Sequence, residues 1–349
     1  IGNKAYGRGS ADDKGNVAGV MLALKKLSTK KINGKVIFAF TGDEEIGGRL
    51  AMHIAEKLGE ESKLPQYLIN ADGVGMNPII RRRKGFSAVI EIPQQKISIK
   101  GRMMKKSFAI STPVLQTRHA AYFMPGVDTH PMIALSHFLR NANAFAVKIR
   151  GKFLKSNVLP SKVELIYVEP DESGEDIEAD LGLTELLKTI VPLVRASISS
   201  ERYSDFGVSI TPNLYSFENG VHRLRLDIRA MSHSPEQIEM KLREVLEFNI
   251  PTAKLIVKHN EKAGYLFTSP DSKLVRIMME TLERLGEKAK PVEGAGASDS
   301  RYFTPYGIEA IDFGPRGGNV HGPNEYADVA SLKLLPKIYT DVAMSLLKN

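Results

Sequence analysis

The chain contains no cysteine. That absence excludes a disulfide scaffold, a thiolate metal site and a cysteine nucleophile. It fits a reducing cytosol, and a hot-growing source would equally account for the loss of so labile a residue. No apolar run approaches the roughly 20 residues of a membrane span; VIFAF and VELIYV are strand-sized. The opening Ile1-Gly2-Asn3-Lys4 lacks the apolar core of a signal peptide. It also lacks an initiating Met, so a natural start is expected upstream of Ile1. Internal repeats and low-complexity tracts are missing. Charge of one sign is in modest excess: 48 Lys+Arg less 40 Asp+Glu leaves +8, with a pI near 9.3. Such an excess serves solubility or attracts small anions more often than it marks a nucleic-acid surface. The densest basic run, Arg81-Arg82-Arg83-Lys84, lacks the interleaved aromatics of a single-strand platform and reads as a solvated strand end.

What is present is an ordinary globular composition of 349 residues, 42% hydrophobic and 25% charged. At about 150 residues per domain, this length implies two domains. The first quarter alternates helix and strand. Val17, Val20, Met21, Leu24 and Leu27 recur at helical spacing, and Lys35–Thr41 (KVIFAFT) reads as a buried strand. Leu50, Ile54, Ala55 and Leu58 mark a second helix, and Tyr67–Asn70 (YLIN) a second strand. Short connections between such elements imply a parallel sheet covered by helices. The middle has another texture. Two strand-like stretches flank Pro93, Thr129-His130-Pro131 caps a helix with proline in its first turn, and residues 169–180 form an acidic, solvated loop. Val221–Arg229 alternates as a strand, with His222 read as a satisfied strand-end residue, and Ser234–Gln237 forms a capping box. The last hundred residues return to the first texture. Ser269-Pro270 opens a helix, Ile308–Phe313 is strand-like, and a terminal helix from about Asp328 is interrupted or kinked at Pro336. The simplest architecture is one α/β domain built from both chain ends, with an α+β domain inserted.

Four segments could carry chemistry. In the loop Gly7–Gly15, Asp12 and Asp13 precede a helix; read alone, they are caps. The loop lacks the Gly-Lys-Ser/Thr ending of a phosphate-binding loop, and two aspartates repel phosphate. Asp43-Glu44-Glu45 follow the first expected strand, where adjacent carboxylates repel unless a cation or solvent relieves them. A solvated acidic loop and a ligand site both remain open there. Asp72 follows the second strand and is by itself a turn residue. His321 lies in a Gly/Pro-rich loop after the last strand and is by itself a loop residue. Together Asp12, Glu45, Asp72 and His321 offer oxygen and imidazole ligands without thiolate. That set suits a hydrolytic zinc, cobalt or manganese centre, with Glu44 able to take a proton from water.

In order and approximate spacing, these segments resemble the zinc-dependent amidohydrolase family of succinyl-diaminopimelate desuccinylase, acetylornithine deacetylase, aminoacylase and glutamate carboxypeptidase. The resemblance covers nearly the whole chain. It implies an α/β metallopeptidase-like catalytic domain with a parallel-rich mixed sheet, residues 1–85 and 261–349, interrupted by an α+β two-layer lid and dimerisation domain, residues 86–260. It implies two zinc ions per subunit, with cobalt or manganese as substitutes. Asp12 would bridge them, Glu45 and His321 would ligate one, and Asp72 would ligate the other. Glu44 would be the general base. Arg118-His119-Ala120-Ala121 resembles the lid segment whose His, here His119, reaches across a homodimer to the scissile carbonyl. Asp227-Ile228-Arg229 resembles the lid strand ending in a substrate-facing Arg; a plain surface Arg is the competing reading of Arg229.

The implied activity is hydrolysis of an amide bond in a small N-acyl amino acid by metal-activated water, in a cytoplasmic enzyme without membrane or nucleic-acid partners. Dipeptidase or carboxypeptidase activity, an inactive binding relative, and a structural or nucleic-acid-associated dimer are the alternatives. One departure stands out. The family carries a His-x-Asp pair upstream of the glycine–arginine–glycine loop, whereas no histidine here precedes Asp12. The expectation is a missing upstream segment; a real loss would weaken the Asp72 metal and leave the Glu45–His321 metal with Asp12.

Overall fold

The computed structural model describes residues 2–111, 119–123, 127–196 and 208–348. Two compact units emerge: Ile1–Lys84 with Glu261–Asn349, and Gly85–Asn260. The chain begins with β1 (Lys4–Tyr6), α1 (Lys14–Leu27), α2 (Arg49–Glu60), β2 (Tyr67–Asn70) and β3 (Ile79–Arg82). It continues with β4 (Lys84–Pro93), β5 (Lys96–Ala109), α3 (Pro131–Asn141), β6 (Phe145–Gly151), β7 (Lys162–Pro170) and β8 (Glu175–Asp180). Then follow α4 (Leu181–Val194), β9 (Ser209–Glu218), β10 (Val221–Ala230), α5 (Pro235–Asn249) and β11 (Lys254–Lys258). The last elements are β12 (Leu266–Phe267), α6 (Lys273–Arg284), β13 (Val292–Gly294), β14 (Glu309–Asp312), β15 (Gly317–Gly318), β16 (Tyr326–Asp328) and α7 (Val329–Leu346). Among the described residues, no helix is long and apolar enough to cross a membrane.

In the unit built from both chain ends, β2 and β14 pair in parallel from Tyr67–Glu309 to Asn70–Asp312. β13 is parallel to β3, while β12 and β14 run antiparallel to it, so the sheet is mixed. Leu274, Val275, Met278 and Leu282 of α6 pack with Ile311, Phe313 and the α7 residues Leu335, Ile338 and Val342. The spacing of these apolar residues is what makes each helix amphipathic. Helix α1 approaches α7 closely at Gly19, where a Cβ would lie 2.8 Å from Leu335 Cβ. Helix α7 is capped by Asp328 and runs through Pro336 uninterrupted. Helix α6 starts later than Ser269-Pro270 suggests, because the Ser272 hydroxyl accepts from the Val275 amide and makes Ser272 the cap.

Two readings of this unit need correction. Lys35–Thr41 forms no strand among the described residues, and Ile37 and Phe40 are 38% and 51% exposed. Apolar alternation specifies an extended backbone but not the neighbour its amides must pair with. The basic run is no solvated strand end. Arg82 is nearly buried, pairs with Asp312, and donates to the carbonyls of Gly296 and Asp72. Arg81 pairs with Glu293 at 3.7 Å. A short strand brings alternate residues to facing partners, which composition alone does not reveal.

The second unit has two antiparallel sheets, ordered β11-β4-β10-β9 and β6-β7-β5-β8. Leu224, Leu226 and Ile228 of β10 share one core with Leu135 and Leu139 of α3, Leu186 and Ile190 of α4, and Leu242 of α5. The capping box at Ser234 and Gln237 is fully formed. His130, rather than Thr129, caps α3, with Pro131 in the first turn. The acidic stretch is the third correction: residues 175–180 are a strand, not a loop. Glu175–Asp180 pairs with the basic start of β5, placing Lys96 opposite Asp180 and Lys100 opposite Asp176. Across these strands Lys96 pairs with Glu178 at 2.9 Å and Asp180 is held by His222, which relieves the repulsion that favoured a solvated loop. Buried His222 is satisfied as expected, with Nε2 at 2.9 Å from Asp180 and Nδ1 at 2.9 Å from the Tyr215 hydroxyl.

Candidate metal centre

Asp12 lies in the loop before α1, Glu45 in a single helical turn at Glu44–Ile46, and His321 in the loop between β15 and β16. Although 276 residues separate Glu45 from His321, the Nε2 of His321 is 2.8 Å from Glu45 Oε1. The same nitrogen is 3.0 Å from Asp12 Oδ2. One ligand atom from each of the three residues falls within 4.8 Å of the other two. The capping explanation of the aspartates weakens here: Asp13 occupies the N-cap position of α1 but makes no side-chain capping hydrogen bond. The Asp12–Asp13 peptide is cis.

Asp72 lies outside that 4.8 Å set. It nevertheless senses the site: burial raises its carboxyl well above the ordinary range, Arg82 opposes this, and Asp312, Glu44 and Asp12 add to it. Its turn is fixed from both sides. Arg82 donates to the Asp72 carbonyl at 2.8 Å, and Asn16 Nδ2 donates to the Ala71 carbonyl at 2.8 Å. Asn16 is itself held by the Tyr339 hydroxyl at 2.6 Å.

Glu44 stands apart from the ligand cluster and is half-buried. Burial pushes its carboxyl up to about 7; the Asp299 charge adds, Arg301 opposes, and Glu45 and Asp12 add further. Gly48 lets Asp299 come this close, since it sits at φ +62° where a Cβ would overlap the Asp299 carboxylate. Asp13 is raised to about 6, by burial and then by Asp12. His321 is raised to about 9, chiefly by its hydrogen bond to Asp12, with burial opposing and the Glu45 charge assisting. Crowded carboxylates and an imidazole held as a cation are what a cation-binding site looks like when only a proton supplies the positive charge. Two carboxylates and an imidazole fit zinc, cobalt or manganese. A metal needs neutral imidazole, so an ion held by His321 would have to expel its proton near pH 7. Affinity is therefore expected to fall as pH drops below about 9. Calorimetry in two buffers of different ionisation enthalpy should show proton release on binding, and equal heats in both would contradict this.

Two residues escaped the sequence reading as contributors. Glu325 is 2% exposed and fastens the two loops together. Its Oε1 accepts from the Ala11 and Asp12 amides at 3.1 Å, and its Oε2 from Arg8 at 2.8 Å. Burial would raise its carboxyl, but the amides of Asp12, Ala11 and Gly9 outweigh that and hold it low. The only signal was an acid four residues after His321. Asp299 sits in the Gly/Ala-rich stretch Gly294–Ser300, a loop signal without a chemical one. Glu325→Ala strands buried amides, and a loss of about 3 kcal/mol is expected in chemical denaturation; a change within about 0.5 kcal/mol, typical of a surface site, would refute the fastening role.

In the second unit, His119 Nδ1 accepts from the Ala121 amide at 3.1 Å. Arg118 lies outside the described residues. Arg229 donates through Nε and Nη2 to Asp227 at 2.8 and 2.9 Å, and both are largely buried. It is thus not the plain surface arginine that was the competing reading.

The fold and the cluster define a class: an α/β chain presenting an oxygen-and-imidazole ligand set. The family follows from comparison, since the profile of peptidase family M20/M25/M40 matches residues 1–345. The chain belongs to this family, whose members are hydrolases acting on amide and peptide bonds. A succinyl-diaminopimelate desuccinylase from a Nitratiruptor species is 22% identical over 347 residues, covering 97% of this chain and 76% of the relative. Among solved structures, an aminoacylhistidine dipeptidase from Vibrio alginolyticus is similar with a TM-score of 0.62 at 13% identity, covering 80% of this chain and 65% of that one. An M20 family metallo-carboxypeptidase from Sulfolobus solfataricus gives 0.58 at 16% identity, covering 99% and 78%. The chain thus spans between 65% and 78% of the length of these relatives.

Proposed function

We propose that the protein hydrolyses an amide bond in a small N-acyl amino acid, of the desuccinylase or deacetylase kind. The observation that carries this is the convergence of Asp12, Glu45 and His321, with the half-buried Glu44 within electrostatic reach of Glu45 and Asp12. In this reading Asp12, Glu45 and His321 hold one divalent ion, zinc by preference with cobalt or manganese as substitutes, and Asp12 with Asp72 a second. A bound divalent ion supplies Lewis acidity, polarising the carbonyl and easing loss of a proton from water. Glu44 accepts that proton as the water oxygen bonds to the carbonyl carbon. It then delivers the proton to the nitrogen as the C–N bond breaks, so Glu44 ends as it began. His119 offers a hydrogen bond to the oxygen that gains charge.

Arg229 is assigned to the substrate carboxylate, working as a pair with Asp227. Residues 86–260 serve as the lid and homodimerisation domain, and the setting is cytoplasmic. Dipeptidase or carboxypeptidase activity is the second reading, favoured by the dipeptidase and the carboxypeptidase among the structural neighbours. Amine release from N-succinyl and N-acetyl amino acids, set against dipeptides, distinguishes the two in metal-loaded protein. Preference for acyl amino acids supports the first reading and preference for dipeptides the second. Metal binding with neither activity would leave an inactive relative.

A further inference from the structure

Two histidines of the 85–260 unit are held by the same device. His130 caps α3, its Nδ1 accepting from the Met132 amide at 3.2 Å. His119 caps the short turn Ala120–Tyr122, its Nδ1 accepting from the Ala121 amide at 3.1 Å. A ring nitrogen that accepts an amide proton carries none itself, so in the neutral ring the proton sits on Nε2.

In each case Nε2 then faces an asparagine. The Nε2 of His130 is 2.9 Å from Asn213 Oδ1. With its oxygen taken, Asn213 donates from Nδ2 to the Ser156 carbonyl at 2.6 Å and to Thr211 at 3.0 Å. This fixes the next residue, Asn157, whose Nδ2 is placed 3.3 Å from the Nε2 of His119. The Asn157 carbonyl also accepts from the Ala120 amide at 2.8 Å, and His119 bridges to Val158. Because His119 Nδ1 accepts from the Ala121 amide, Nε2 carries the proton and cannot accept from Nδ2; with the Asn157 amide turned end for end, Oδ1 meets that proton instead. The first pair is buried: His130 and Asn213 are 2% and 0% exposed, and burial holds His130 down at about 4. The second pair is reached by solvent at His119.

We infer that Asn157 is a positioning residue: its side-chain oxygen holds His119 as a neutral Nε2–H donor, to be released to an incoming carbonyl oxygen. The inference rests on the proposed role of His119, and its structural half can be tested without turnover. The donor is preset because Ala121 fixes the tautomer and Asn157 fixes the ring plane. The buried His130–Asn213 pair anchors the segment that carries Asn157.

The test is long-range 1H–15N correlation on the histidine-labelled full chain, with His119 assigned by loss of its signals in His119→Gln. The expected wild-type result is a bare Nδ1 and a slowly exchanging Nε2 proton. In Asn157→Leu the Nε2 proton should exchange about fivefold faster or more, while unchanged His130 signals report an intact fold. Asn157→Asp keeps an acceptor oxygen, so it should restore slow exchange and raise the pH at which the ring ionises. With an active substrate, Asn157→Leu should lower kcat about 10- to 100-fold with little change in KM. An Nδ1–H tautomer in the wild type, or unaltered exchange in Asn157→Leu, overturns the inference. Should Asn157→Leu fail to fold, the wild-type tautomer and Asn157→Asp decide it. If the expected signals come from a protein that hydrolyses none of the substrates, the functional reading fails and the positioning stands.

Discussion

Replacing Glu44 with Gln is expected to leave fold and divalent-metal uptake intact and to lower turnover about 100- to 10,000-fold, the usual range for a positioned acid or base. The amide is nearly isosteric and removes only the proton acceptor. Glu44 suits the task because burial and the Asp299 charge lift its carboxyl to about 7, near the pH at which it must both take and give a proton. The sign follows. A carboxylate base works when ionised, so the rate should fall as pH drops through its pKa. A bound cation beside Glu45 favours the ionised form, placing that acid limb at or below about 7. The check is the pH dependence of kcat/KM in wild type together with metal content and kcat in Glu44→Gln. Full turnover in the variant would remove Glu44 from the mechanism.

His321→Ala should produce the other large effect, a loss of divalent affinity exceeding the roughly 10- to 100-fold typical of an outer-shell substitution. His321 Nε2 is the point at which Asp12 and Glu45 meet, at 3.0 and 2.8 Å. Removing it deletes a donor and leaves two carboxylates facing each other without the imidazolium that separates their charge in the metal-free protein. Competition titration with a chromophoric chelator measures this directly. Near-wild-type affinity in His321→Ala would show that the ion sits elsewhere. His321 lies at φ +61°, a left-handed backbone that His and Asn adopt more readily than Ala, so His321→Asn removes the imidazole with the backbone preference kept and serves as the control for Ala.

The candidate ligands Asp12, Glu45 and His321 are legible because the residue types that could hold a metal are few. Without cysteine, a hydrolytic centre can draw only on Asp, Glu and His, and Glu44-Glu45 and His321 stand in loops where a structural role is weakest. The supports were not legible. Glu325 is one acid among 40 Asp+Glu, and only its burial against three amides sets it apart. Asn157 is unremarkable until the Asn213 side chain is seen to hold the carbonyl before it. The misreadings share one origin. The composition of KVIFAFT, the basic run and the acidic stretch does not reveal their partners, and each is decided by one: no strand among the described residues for the first, Asp312 for Arg82, and the lysines of β5 for Glu175–Asp180.

By itself the sequence determined the helix faces, the start of the last helix near Asp328, the capping box at Ser234, and the inventory of possible ligands, because these depend on spacing of a few residues and on side-chain chemistry. Only the tertiary structure decided that Asp12, Glu45 and His321 meet, that Asp72 stands outside their immediate circle, and that Glu44 is half-buried. Those are distances between loops about 30 to 300 residues apart in sequence, and local propensity carries no information about them until parallel pairing of β2 with β14 and the Glu325 clasp bring the loops together.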